Sequence, residues 1–341
     1  MPDPKFLLVR LSSLGDIVHT FPAVAALRET FPAAEIVWLT HPRWKLLVES
    51  SGLASEVWAA ETRLLPSLRA ILRRIRETKF SIAIDYQGLW KSAALPLFGR
   101  IPRRIGFSPE TIREYGVPML YTDRVRCMQT HIADQNGELS SRAGAQKGCA
   151  GFSLNVSPSD AARVDDYLQV NSIEHYVALS PGGGWRSKCW PPERFGVLCK
   201  KMREALRLRC VVNYGPGEEQ LAAAVRDASG TADPLLYNGD FGPLMALLRN
   251  ALCIVGGDTG PLHLAVALGT PSVALFGPTD PARNGPYRVG ASGVVGRRNV
   301  VLRSPRAVTT YKRGNQADPS MLELEVDAVL EAVRRQIEVH T

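Results

Sequence analysis

Three short stretches of this sequence bring together residue types able to hold a phosphorylated ligand and move a proton beside it. The first is LSSLGDIVHT (11–20), in which Ser12, Ser13 and Gly15 read as a tight turn and Asp16 stands where a helix begins. Open α/β sheets bind ligands at the carboxyl ends of their strands, so a carboxylate there is placed to accept a proton. The same residue also suits a plainer role, capping the helix that follows.

The second stretch, VALSPGGGWRSKCWPPERF (177–195), sets Gly182, Gly183 and Gly184, then Arg186 and Lys188, between a strand and a helix. Glycines let backbone N–H groups approach phosphate oxygens closely, and a lysine adds a point charge. The alternative is a plain turn with exposed basic residues. The third, VGGDTGPLHLAVALGTPSVALFGPTDP (255–281), delivers Asp258, Thr259 and Gly260 to a helix start. Such a start has unpaired N–H groups and the positive end of the helix dipole, so Thr259 and Gly260 suit a diphosphate. His263 lies one turn further on, either facing that ligand or packed in the core. Neither G-x-G-x-x-G nor a Walker A loop fits these turns, which counts against a nicotinamide or flavin dehydrogenase and against a P-loop enzyme. No D-x-D pair occurs to hold Mg²⁺ or Mn²⁺. The charge of a nucleotide diphosphate then falls to Arg186, Lys188 and helix termini, with no metal and no cofactor expected.

Positioning these residues requires strands that deliver them and helices that carry the chain back. Apolar runs predict strands over 5–11, 35–40, 56–60, 81–86 and 103–107, with helices over 17–31, 63–79 and near 130–142. After a small-residue stretch the alternation restarts. Helices are predicted over 157–169, 193–206, 218–229, 244–251 and 261–269, strands over 175–184, 209–216, 253–260 and 271–278, and a terminal helix over 321–339. Such alternation implies parallel sheets with crossover helices. At roughly 150 residues per domain, 341 residues make two doubly wound units, divided here as 1–155 and 156–341.

The net charge of +8 is uneven: residues 1–155 hold 20 Lys and Arg against 14 Asp and Glu, which favours an anionic partner for the first unit. Within it, residues 63–79 set Arg63, Arg69, Arg73, Arg74, Arg76 and Lys79 beside a stripe of Leu64, Leu65, Leu68, Ile71, Leu72 and Ile75. A basic amphipathic helix of this kind can lie on an anionic bilayer, or it can be an ordinary packed helix with a solvated basic face. No apolar run approaches the ~20 residues of a membrane span, and the apolar stretch near Met1 is short for a signal peptide. The six cysteines form no C-x-x-C pair and read as free thiols in a reducing compartment.

Taken in order, SSLGDIVHTFPA (12–23), DYQGLWKSAAL (85–95), THIADQN (130–136), KCWPPERF (188–195), DTGPLHLAVALGTPSVALFGPTDP (258–281) and the final helix after DPSM (318–321) resemble the ADP-heptose:lipopolysaccharide heptosyltransferases of glycosyltransferase family 9. The first two motifs are more similar to the enzymes that add the first heptose to Kdo. The resemblance implies the GT-B fold: two Rossmann-like lobes facing across a cleft, acceptor in the first and nucleotide sugar in the second. It also implies a terminal helix (319–339) returning to the first lobe. It implies inverting, metal-independent transfer from ADP-heptose to a Kdo-lipid A acceptor, by a cytoplasmic protein peripheral to the anionic inner-membrane surface, with no nucleic-acid partner. Asp16 then matches the catalytic base, and Lys188 the lysine on the donor phosphate. Gly183, Gly184, Arg186, Asp258, Thr259, Gly260 and His263 fall on the donor side, and Ser12, Ser13, Gly15, Gln87 and Lys91 on the acceptor side. The loop Gly182–Gly184 departs from relatives that carry hydroxyl residues there, and 300–316 matches nothing in the family pattern.

Two rivals remain at this level: a GT-B enzyme using another nucleotide sugar or acceptor, and a two-lobed nucleotide-sugar-binding protein without catalysis. Asp16 favours an enzyme, because a pure binder has no use for a carboxylate away from the phosphate site. With charge met by side chains and helix termini, transfer is expected to survive EDTA. Loss of activity on chelation, restored by Mg²⁺ or Mn²⁺, would overturn this reading of the charge balance.

Overall fold

In each half of the chain the alternating strands and helices form one six-stranded, wholly parallel sheet. The computed structural model describes residues 4–112, 114–287 and 299–338. The chain divides into Met1–Asn155 and Val156–Thr341.

The first unit contains β1 (Lys5–Val9), α1 (Leu14–Val18), α2 (Phe21–Thr30), β2 (Glu35–Thr40), α3 (Lys45–Ser50), β3 (Glu56–Ala59), α4 (Leu65–Thr78), β4 (Ile82–Asp85), α5 (Trp90–Phe98), β5 (Arg103–Phe107), β6 (Asp123–Val125) and α6 (Ile132–Ala143). Its strand order is β3-β2-β1-β4-β5-β6. The second contains α7 (Pro158–Val170), β7 (Tyr176–Ser180), α8 (Pro192–Leu206), β8 (Arg209–Asn213), α9 (Glu219–Ser229), β9 (Leu235–Tyr237), α10 (Phe241–Asn250), β10 (Cys253–Gly257), α11 (Gly260–Leu268), β11 (Ser272–Phe276), α12 (Pro281–Asn284), β12 (Asn299–Arg303), α13 (Pro319–Leu322) and α14 (Val326–Glu338). Its order, β12-β11-β10-β7-β8-β9, repeats the first. The central strands are buried on both faces, which is why Phe6–Val9, Tyr176–Leu179 and Cys253–Val255 read as continuous apolar runs.

Several elements depart from the sequence reading for local reasons. The single helix expected over 17–31 is two: α1 ends at the His19 cap, and α2 starts afresh with Pro22 in its first turn, a position that tolerates the missing N–H. The terminal helix is likewise split into α13 and α14. The apolar face of α14 is buried in the second unit's own core, where Val329 and Val333 join Leu198, Met202, Val273 and Leu275, whereas the resemblance implied packing on the first lobe. Val339, the last residue of the expected helix, lies outside the described residues. The strands β6 and β9 have only three residues each and β12 is half-exposed, and none of the three belongs to the strands expected from the sequence. β12 opens the 300–316 stretch that matched no motif.

Within α4 the apolar stripe is core from Leu68 to Ile75, whereas Leu64 and Leu65 at its start are exposed. Ile71 and Ile75 are buried against Leu7, Val9, Leu39 and Leu95, with Leu68 and Leu72 packed beside them. The helix therefore cannot lie on a bilayer through that stripe, because its own sheet already covers it. Of the six cations, Arg74 is held by Glu56 at 2.5 Å and stacks on Trp58 at 4.0 Å, and Arg76 donates to the Phe98 carbonyl at 2.9 Å. Ile75→Ala is expected to destabilise the protein by about 2–5 kcal/mol, as large-to-small changes in cores do. Urea unfolding checks this, and a loss under about 0.5 kcal/mol, the range of surface changes, would return the stripe to the surface.

Candidate active site

In both sheets the first strand lies in mid-sheet, so strand order reverses beside it. The loops after β1 and β4, and after β7 and β10, therefore stand at the switch point of each sheet, the place at the carboxyl edge where open α/β sheets bind ligands. Every polar residue assigned above to the donor or acceptor side, apart from Lys91 in α5 and His263 in α11, falls on these four loops or on the helix starts they feed.

In the first unit, Asp16 is the third residue of α1, not its cap. Ser13 is the cap, and its amide and hydroxyl donate to Asp16 Oδ2 at 3.1 and 2.8 Å. The other carboxylate oxygen, Oδ1, sits 2.8 Å from Nη2 of Arg10. Arg10 is almost fully buried, and its Nη1 donates to the Tyr86 carbonyl in the loop after β4. Asp16 itself is half-buried. Gln87 accepts from the Leu11 amide at 2.6 Å and reaches Ser12 Oγ at 3.5 Å. Its amide group thus ties the two loops together, whereas the resemblance placed it on the acceptor. Gly15 is buried inside α1, and Lys91 is exposed in the first turn of α5.

Behind these loops lies Asp85, fully buried at the end of β4. Its carboxylate accepts from Tyr121 Oη at 2.6 Å, Ser92 Oγ at 2.9 Å, and the Gln87 and Gly88 amides at 2.9 and 3.2 Å. Burial pushes its carboxyl up, against the pull of those four hydrogen bonds. It fixes the turn from which Tyr86 and Gln87 reach the β1 loop.

In the second unit, Lys188 is buried and donates to the Asp258 carbonyl. Its Nζ lies 3.5 Å from Asp258 Oδ2 and 4.3 Å from the centre of the Trp185 ring. Asp258 Oδ1 is 3.0 Å from His263 Nε2. Burial alone would push the Asp258 carboxyl up, but the His263 hydrogen bond and the Lys188 charge outweigh it and hold it at about 2. Its folded pKa lies below the unfolded one, so its stabilisation is present above about pH 4 and lost as the pH falls through about 2. Thr259 caps α11, and its Oγ1 is buried without a partner among the described residues. An unpaired buried hydroxyl next to a helix start is where a phosphate oxygen would sit.

The glycine loop has two distinct uses. A Cβ on Gly182 would meet the Glu218 carboxylate at 2.1 Å, and one on Gly183 would meet Cys189 Sγ at 2.8 Å, with Thr259 and Lys188 next in line. Gly183 is thus where the loops after β7 and β10 close on one another. Gly184 faces open space, and Arg186 is exposed. His263 reaches the site through Asp258, with its Nε2 committed to that carboxylate.

Sequence reasoning missed Arg10, Asp85, Trp185 and the stretch 304–318. That stretch lies over the donor loops: the Asp318 amide donates to the Ser187 carbonyl at 3.0 Å, the Thr310 amide to the Pro278 carbonyl at 2.7 Å, and Arg313 stands 5.5 Å from the Trp185 ring centre. A buried Arg or Asp between apolar strands is a visible signal, but what it pairs with is not. Among the described residues no cluster of three His, Cys, Asp or Glu is arranged to hold a metal ion.

Arg10→Gln removes the charge on Asp16 Oδ1 and is expected to lower kcat for the transfer on the order of 10²-fold, because misplaced groups lose about that much. Arg10→Lys should recover part of it, and donor KM should stay unchanged. Steady-state kinetics decide, and a kcat within threefold of wild type for Arg10→Gln would remove Arg10 from any role in positioning Asp16.

Residues 68–304 match the family described as glycosyltransferase family 9 (heptosyltransferase). The chain is 25% identical over 316 residues to lipopolysaccharide heptosyltransferase 1 of Escherichia coli K12, covering 89% of this chain and 94% of the relative. Its fold is similar to that of E. coli ADP-heptose lps heptosyltransferase II, with a TM-score of 0.81 at 20% identity and coverage of 98% and 99% of the two chains. It is also similar to E. coli heptosyltransferase WaaC with ADP, with a TM-score of 0.73 at 24% identity and coverage of 97% and 99%. The two parallel sheets with their helices are those of the GT-B class, and the chain belongs to glycosyltransferase family 9.

Proposed function

We propose that this enzyme transfers heptose from ADP-heptose to the Kdo-lipid A acceptor of the lipopolysaccharide inner core, with inversion and without a metal. It acts in the cytoplasm, at the surface of the inner membrane. The observation that carries the reading is the division of labour between the two switch-point crevices. One holds an ion-paired, half-open carboxylate. The other holds a buried Lys–Asp–His cluster at a helix start with an unpartnered Thr hydroxyl. The names of the matched relatives supply the sugar and the acceptor class.

In this reading the acceptor hydroxyl attacks the anomeric carbon from the face opposite ADP. The C–O bond to the diphosphate breaks as the new C–O bond forms, and Asp16 takes the hydroxyl proton. A carboxylate is a weak base, so Asp16 receives the proton late, once attack has made the hydroxyl acidic. Lys188, Thr259 and the first amides of α11 hold the leaving ADP, whose charge grows toward the transition state. Asp258 keeps Lys188 in place, and His263 keeps Asp258 ionised.

Turnover of ADP-heptose on Kdo-lipid A, set against UDP-, GDP- and CMP-sugars, tests the donor directly, and preference for another nucleotide would overturn it. Asp16→Ala should lower transfer by roughly 10²–10⁴-fold while ADP binding stays within a few-fold. Lys188→Ala should reduce kcat by about 10²–10³-fold, more than it raises donor KM. Turnover of Asp16→Ala within tenfold of wild type would take the base role from it. A Lys188→Ala effect confined to acceptor KM would reverse the assignment of the two units.

A further inference from the structure

The outer side of α4 and the cavity at its far end take no part in the site above. Because α4 turns Ile71 and Ile75 to the core, Arg69, Arg73 and Arg76, spaced four and three residues apart, stay exposed on the other side. Its 14 residues span about 21 Å. At the near end, on the same carboxyl edge as Asp16, Leu64 and Leu65 are 58% and 64% exposed. At the far end is a cavity of about 470 Å³ whose lining includes Arg76, Lys79, Arg100 and Ser81, and no carboxylate. Phe98, 57% exposed, adjoins it through the hydrogen bond from Arg76 to its carbonyl. Lys79 and Arg100 both adopt left-handed backbone, with φ of +53° and +61°, uncommon for residues with a side chain. The helix carries one acid, Glu77, 4.0 Å from Arg73.

We propose that this side of the first unit docks on an anionic bilayer, with a lipid phosphate seated among Arg76, Lys79 and Arg100. Leu64, Leu65 and Phe98 enter the interfacial layer at either end of the cationic row. The occupant follows from complementarity: a row of cations with one acid, flanked by exposed apolar side chains, matches a surface that is anionic in its headgroups and apolar beneath. The inference rests on the proposed lipid-borne acceptor. It gives that acceptor a reason to meet Asp16, since Leu64 and Leu65 lie on the edge where Asp16 stands. The contact runs through the cationic side of α4 and the exposed Leu64 and Leu65, not through the buried part of its apolar stripe, Leu68 to Ile75.

The full-length protein is tested by co-sedimentation with vesicles of phosphatidylglycerol and phosphatidylcholine, and with phosphatidylcholine alone. Wild type should bind the anionic vesicles only, and less as salt rises. Lys79→Gly with Arg100→Gly removes two cavity cations at positions whose backbone suits glycine, so the fold is kept. This variant should bind at least tenfold more weakly, as should Leu64→Ser with Leu65→Ser. Both should transfer heptose to a delipidated, water-soluble acceptor at the wild-type rate. Wild-type vesicle binding by both variants would overturn the proposal. So would inorganic phosphate or pyrophosphate raising Tm only when Lys79 and Arg100 are present while vesicle binding is unaffected, since the cavity would then serve a soluble anion. Self-association of wild type that the Leu64→Ser, Leu65→Ser variant abolishes in sedimentation velocity, again with vesicle binding unaffected, would make the occupant a second copy. Vesicle binding without heptose transfer to any acceptor would instead sink the proposed reaction and leave the docking surface standing.

Discussion

Each sheet is entered in its middle. The first strand of either unit is flanked on one side by the strand that follows it and on the other by the fourth, and this arrangement generates the chemistry. Loops leaving neighbouring strands on the same face would lie side by side and cover one another. Where the strand order reverses they diverge, and backbone N–H groups, helix starts and short polar side chains are left facing a gap. The remaining packing, from the apolar strands buried on both faces to α14 closing the second core, keeps those two gaps in shape.

The two gaps are finished differently, and the difference is electrostatic. In the second unit the carboxylate of Asp258 is enclosed and answered by Lys188 and His263. A buried charge left without its partner is costly, so such a triad is rigid and well suited to holding an anion of fixed shape. In the first unit the enclosed carboxylate is Asp85, satisfied by four hydrogen bonds and removed from any substrate. The carboxylate left accessible is Asp16, and its position is inherited through Tyr86, Gln87 and Arg10 from Asp85. One unit thus fixes a positive site by burying its counter-charge. The other fixes a negative site by burying the scaffold behind it.

The helix α4 shows how a strong pattern can support opposite surfaces. Its periodicity separates apolar from cationic residues cleanly, and both an interfacial helix and a packed one carry that separation. What distinguishes them is whether another apolar surface is already there. Here the face of the sheet carrying Leu7, Val9 and Leu39 is, so Leu68, Ile71, Leu72 and Ile75 turn inward, and the cations look out together with Leu64 and Leu65 at the helix start.

The sequence by itself determined the class of fold, the division near residue 155, and the turns that carry the candidate site residues. These follow from local rules, because alternation of apolar strands and helices and the turn residues between them act over a few residues. It also marked Asp16, Lys188, Asp258, Thr259 and His263 by type and place. Only the tertiary structure decided what those residues touch. Arg10 and Asp16 are near in the chain, but Arg10 is held by Tyr86, 76 residues away, and Lys188 meets Asp258 across 70 residues. The tie made by Gln87 and the stretch 304–318 laid against Ser187 and Pro278 likewise depend on tertiary packing, whereas the cap at Ser13 is local. A charge's partner in a sheet that reverses its order at the centre is set by that order, and strand order is a property of the whole core that no local window of sequence contains.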